Sequence, residues 1–108
     1  MSRLQQLIAF LEASPGDSFL LFAVAKEYEG LGEEEQAFRY YREIMEKDPA
    51  YVGLYYHLGK WYERQKRFQE AFHTYRRGMD IAKQAKDEHA YSELAAAKMG
   101  VGDDEDFA

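Results

Sequence analysis

Apolar positions recur along this chain at helical rather than strand spacing. Leu21, Val24, Ala25 and Tyr28 fall at i, i+3, i+4 and i+7, and Tyr55, Leu58, Gly59 and Tyr62 repeat the arrangement. One buried face of an amphipathic helix requires this spacing. Ala37, Tyr41 and Ile44 form a second stripe, matched by Ala71, Tyr75 and Gly78. No stretch alternates apolar and polar residues as a half-buried strand would. The pattern predicts an all-α chain with helices near residues 2–13, 18–30, 34–47, 52–65, 68–85 and 88–98.

The punctuation between these segments agrees. Ser14-Pro15-Gly16-Asp17 and Asp48-Pro49-Ala50 interrupt the helical pattern, because proline disfavours helix in the residue before it. Gly30-Leu31-Gly32 ends a helix by admitting left-handed backbone. Glu33, Glu34 and Glu35 follow, at a helix start where negative charge favours the dipole.

Sliding the chain by 34 positions brings Pro15 onto Pro49, Leu20 onto Leu54, Lys26 onto Lys60, Tyr28 onto Tyr62 and Glu29 onto Glu63. It also brings Ala37 onto Ala71, Phe38 onto Phe72, Tyr41 onto Tyr75, Arg42 onto Arg76 and Met45 onto Met79. A period of this length marks a helical solenoid. Each unit is a pair of helices. Small residues face each other within each pair, Ala25 with Ala37 and Gly59 with Ala71, and let the helices approach closely. Tyr28 with Tyr41 and Tyr62 with Tyr75 are expected to fill the wedge beside them. Lys66 stands where the first unit has Gly32, so that turn is expected to carry some strain.

Composition narrows the function. The 108 residues carry 14 Lys and Arg against 20 Asp and Glu, a net charge of −6. That balance opposes nucleic acid as a partner and opposes an anionic membrane surface. Aromatic residues make up 16% and cysteine is absent, so the chain can bury a core and has no thiolate chemistry. The first apolar stretch is interrupted by Gln5, Gln6 and Glu12 and reads as an amphipathic helix rather than a signal peptide. A cytoplasmic location is expected.

Together the 34-residue period, the paired small residues and the unit-ending prolines resemble the tetratricopeptide repeat family. Asp48-Pro49-Ala50 through Leu58-Gly59-Lys60-Trp61-Tyr62, continued by Phe68-Gln69-Glu70-Ala71-Phe72 and Tyr75, is similar to a consensus repeat. Asp17 to Pro49 matches through Leu21, Ala25, Tyr28, Gly32, Ala37 and Tyr41. The resemblance implies a right-handed superhelix of helical hairpins. It would comprise a half repeat at 2–15, repeats at 16–49 and 50–86 and a capping helix at 87–99 in one domain, 1–101. Lys83 stands where a third proline would fall, so the fifth helix is expected to run on. Terminal repeats are commonly atypical.

In that family the concave face, lined by the first helix of each pair, holds a peptide or helix of a partner protein. The corresponding residues are Phe19, Phe22, Lys26 and Glu29, then Tyr56, His57, Lys60, Glu63 and Arg64. An aromatic strip beside ammonium groups suits a ligand with apolar and acidic side chains. A Lys/Asn/Arg carboxylate clamp known in the family is not matched, since the chain has no Asn and His57 occupies that place.

The remaining chemistry is sparse. His57, His73 and His89 are the only imidazoles, and His89 with Glu93 makes only an i, i+4 pair. No phosphate loop, nucleophile elbow or metal motif is present. No catalytic residue, cofactor or metal is therefore expected. An alternative function is homo-oligomerisation: Leu4, Leu7, Ile8 and Leu11 on an unpaired first helix would contact a second copy. Residues 102–108 read as an acidic flexible tail with one aromatic, Phe107. Such a tail could also lie in the aromatic and basic groove.

Overall fold

The computed structural model describes residues 1–107. Six helices are found among them and no strand: α1 (Arg3–Ala13), α2 (Ser18–Gly30), α3 (Glu34–Lys47), α4 (Gly53–Arg64), α5 (Phe68–Gln84) and α6 (Glu88–Val101). They fall into two compact units, Met1–Tyr51 and Val52–Ala108.

Local chemistry sets the ends of the helices. Ser2 and Gln5 form a reciprocal capping box at α1. Asp17 accepts from Leu20 N–H at α2, and Asp87 accepts from Ala90 N–H at α6. These side chains satisfy amide donors that have no partner within the helix. Helix α3 has no side-chain cap but carries Glu34 and Glu35 in its first turn. Three helices end in the same two-bond motif. Gly32 N–H donates to Glu29 O and Glu33 N–H to Tyr28 O; the same bonds recur from Lys66 and Arg67 and from Lys86 and Asp87. The pivot residue is left-handed in each case, with φ 76° at Gly32, 61° at Lys66 and 58° at Lys86. Lys66 therefore makes the same turn as Gly32, with a side chain in a region that disfavours one. The turn before α6 is a further copy, at 20 rather than 34 residues from its predecessor.

In the first unit, Leu21, Val24 and Ala25 of α2 bury against α3 through Ala37, Tyr41 and Ile44. Helix α1 packs on α2, with Leu7 buried and Leu4, Ile8 and Leu11 half-buried. Leu7 is thus covered by its own unit, while Leu4, Ile8 and Leu11 keep part of their surface open. Phe10 is the large apolar residue that α1 exposes, at 62%. Ser18 Oγ donates to Asp48 Oδ2 at 2.6 Å, tying the start of α2 to the end of α3.

In the second unit, α5 runs 17 residues, to Gln84, and packs against both α4 and α6. Two glycines set the spacing. A Cβ on Gly78 would lie 2.9 Å from Tyr55 Cγ and 3.1 Å from Leu94 Cδ1. A Cβ on Gly59 would meet the ring of Tyr75. Tyr41 and Tyr75 are fully buried, and the rings around them pack on one another. Tyr28 stacks on Tyr40 at 5.7 Å, while Tyr41 meets Phe22 at 6.2 Å and Tyr75 meets Tyr56 at 6.4 Å. Residues 103–106 close a turn by hydrogen bonds from the amides of Asp103 and Asp106.

Candidate functional site

The residues singled out on α2 form one face of the first unit. Phe22 is half-buried between the rings of Tyr41 and Tyr51, at 6.2 and 5.9 Å. Burial, then Asp17 and Asp48, raise the Tyr51 phenol above its ordinary value. Phe19, one turn earlier, is 66% exposed. Lys26 Nζ lies 3.0 Å from Glu29 Oε1.

The same set recurs on α4 of the second unit. The Lys60 ammonium lies 5.4 Å from the centre of the Tyr56 ring and 3.5 Å from Glu63 Oε2. The Tyr75 hydroxyl donates to Glu63 Oε2. Burial, followed by this bond to an anionic acceptor, pushes the Tyr75 phenol far above its usual range. Glu63 is thus engaged twice within its own unit. His57 is half-buried and meets Tyr56 edge-on at 5.4 Å. Arg64 is exposed at the end of α4.

A cleft of about 140 Å³ opens between α4 and α6, lined by Val52, Gly53, Tyr56, His57, Asp87, Ala90, Glu93 and Leu94. The structure thus brings Tyr56 and His57 together with a wall that the sequence reading assigned only to capping. The spacing of Asp87, Ala90 and Leu94 on one side of α6 was a signal for it, but the repeat pattern stops before that helix. The wall also alters the charge. Asp87 caps α6, and Glu93 lies 3.5 Å from His89 Nε2. The cleft therefore carries carboxylates on one side and Lys60 beyond Tyr56 on the other.

Nothing in this arrangement unites a base, a nucleophile and an orienting group. His73 contacts Arg76 and the ring of Phe72. Among the described residues, no group of three or more His, Cys, Asp or Glu is placed to hold a metal ion. No helix among them is long and apolar enough to cross a membrane.

The fold has counterparts among solved structures. A tetratricopeptide repeat domain protein from Salinibacter ruber, known from a crystal structure, is 39% identical to this chain. The match covers 79% of this chain and 94% of that one, with a TM-score of 0.76. This chain belongs to the tetratricopeptide repeat family. A solution structure of a tetratricopeptide repeat domain protein from the same organism matches at 39% identity, covering 81% and 88% of the two chains with a TM-score of 0.78. A Bordetella parapertussis protein shares the fold at 22% identity, 94% and 88% coverage and a TM-score of 0.79. The tetratricopeptide repeat family model matches residues 52–84. No curated protein sequence matches the chain. Tetratricopeptide repeats generally mediate protein–protein contacts and are generally non-catalytic scaffolds, the role this family membership brings.

Proposed function

We propose that this chain binds a peptide or helix of a partner protein on the first-helix faces of its repeats, α2 and α4. The observation that carries the reading is the α4 face: Tyr56 held between Tyr75 and His57, with Lys60 over its ring. Rings already fixed by neighbours lose little freedom when a ligand arrives, which favours binding. The ligand chemistry follows from the lining. An apolar side chain enters the cleft against Tyr56 and Leu94, an acidic one meets Lys60, and a basic one meets Glu93. Phe22 and Lys26 offer the related but less recessed pair on α2.

A displayed peptide library tests this, with wild type compared with Tyr56→Ala and Lys60→Glu. Wild type is expected to enrich peptides with an acidic residue near an apolar anchor, and both variants to lose them. Enrichment of the same peptides by all three proteins would remove the assignment.

A further inference from the structure

Helix α6 ends at Gly102, whose N–H donates to Lys98 O. The chain then reverses. Asp103 Oδ1 accepts from the amides of Glu105 and Asp106 at 3.0 and 3.2 Å, and Asp106 Oδ2 accepts from the amide of Asp103 at 2.9 Å. The turn carries Phe107 back onto α5, where its ring stacks on Phe72 at 4.8 Å and 25°. A Cβ on Gly102 would lie 2.6 Å from Phe107 Cε2 and 2.9 Å from Asp106 Oδ2, so both side chains pack directly over the glycine.

The receiving face is cationic. Lys98 Nζ lies 5.0 Å and the Arg76 guanidinium 5.7 Å from the centre of the Phe72 ring. Lys98 also reaches Asp104 Oδ1 at 3.4 Å. An aromatic platform flanked by two cations thus meets four consecutive carboxylates and an aromatic ring. Among the described residues, the segment is held by the Phe107–Phe72 stack, by the ion pair of half-buried Lys98 with exposed Asp104, and by its tether. The tether keeps the effective concentration high, whereas an ion pair whose carboxylate is open to water adds little.

We propose that the Phe72 face of α5 and α6, with Arg76 and Lys98, is a docking site for an acidic segment of a partner protein that carries an aromatic side chain. The chain's own Asp103–Phe107 fills it at rest. The site shares no residue with the α4–α6 cleft, so it stands apart from the function proposed above. A partner segment gains access by displacing Phe107 from Phe72.

The test uses the full chain carrying Phe107→Ala and, as probe, a synthetic peptide of residues 102–108. The variant is expected to bind the peptide at least about tenfold more tightly than wild type. A peptide with alanine in place of its Phe is expected not to bind. Lys98→Glu added to Phe107→Ala is expected to weaken binding about tenfold, and salt to weaken it further. Equal binding by wild type and the folded variant, or none to either, would overturn the proposal. Should Phe107→Ala not fold, Asp104→Lys loosens the segment at an exposed position; affinity no higher than wild type would count equally against it. Wild-type dimers lost on Phe107→Ala substitution would assign the face to a second copy and also overturn it.

Discussion

The edge of the Tyr75 ring occupies the space into which a side chain on Gly59 would project, 2.6 Å from Tyr75 Cδ1. Tyr75 is fully buried and its hydroxyl is held by Glu63, so the ring has little freedom to move aside. Alanine is normally the better helix former, by about 1 kcal/mol. Here overpacking outweighs that gain, and Gly59→Ala is expected to lower stability by about 2 kcal/mol in urea unfolding. Gly100 is the control: its Cβ would meet nothing within 4 Å. Gly100→Ala is expected to raise stability by up to about 1 kcal/mol.

The left-handed pivots yield a second prediction. Lys66 and Lys86 hold φ of 61° and 58° where the first hairpin has Gly32. Glycine removes roughly 1–2 kcal/mol of strain and returns about 0.4–1 kcal/mol to the unfolded chain. Lys66→Gly and Lys86→Gly are each expected to stabilise by about 0.5–1 kcal/mol, and Gly32→Lys to do the reverse. Thermal melts of the three variants check the sign.

Stability is expected to fall in alkali. The Tyr75 phenol is raised by burial and by its bond to Glu63, and burial raises Tyr40, Tyr51 and Tyr62 in the same direction. A group whose pKa is higher folded than unfolded contributes fully below its unfolded value, about 10 for tyrosine. That contribution is lost as the pH climbs past it. Tyr75→Phe is expected to flatten the alkaline branch of unfolding midpoint against pH, and to cost about 1–2 kcal/mol at neutral pH through the lost hydrogen bond. At the acid end the sign reverses for Glu70, whose carboxyl is lowered by its hydrogen bond from Arg67. That contribution is lost as the pH falls past its folded value.

Helix α6 is expected to belong to the cooperative core of the second unit. Leu94 is almost fully buried and reaches the contact around Gly78. Leu94→Ala is expected to cost about 2–5 kcal/mol, read as a single shifted transition. A loss below about 1 kcal/mol, with α4 and α5 amides still protected from hydrogen exchange, would mean α6 folds on its own terms.

Apolar spacing, the two prolines and the acidic caps located all six helices within about three residues of their observed ends. They did so because those signals act within a turn or two of the backbone. The 34-residue recurrence likewise identified Tyr56 and Lys60 as equivalents of Phe22 and Lys26, since equivalent positions on equivalent helices share a face. Contacts between helices were not legible in the same way. Periodicity states which side of a helix is buried but not which ring crosses which neighbour. The stacking of Tyr28 on Tyr40, and the ring of Tyr75 filling the space beside Gly59, come from the packed structure alone.

What the residues determined alone was the set of helices, their caps and the repetition of one hairpin, because these depend on near neighbours along the backbone. Tertiary structure decided that Leu7 is the buried residue of α1, that α6 walls a cleft beside Tyr56, and that Phe107 returns to Phe72. Each of those depends on burial and charge between segments distant in sequence, whose pairing is fixed only once the whole unit has packed.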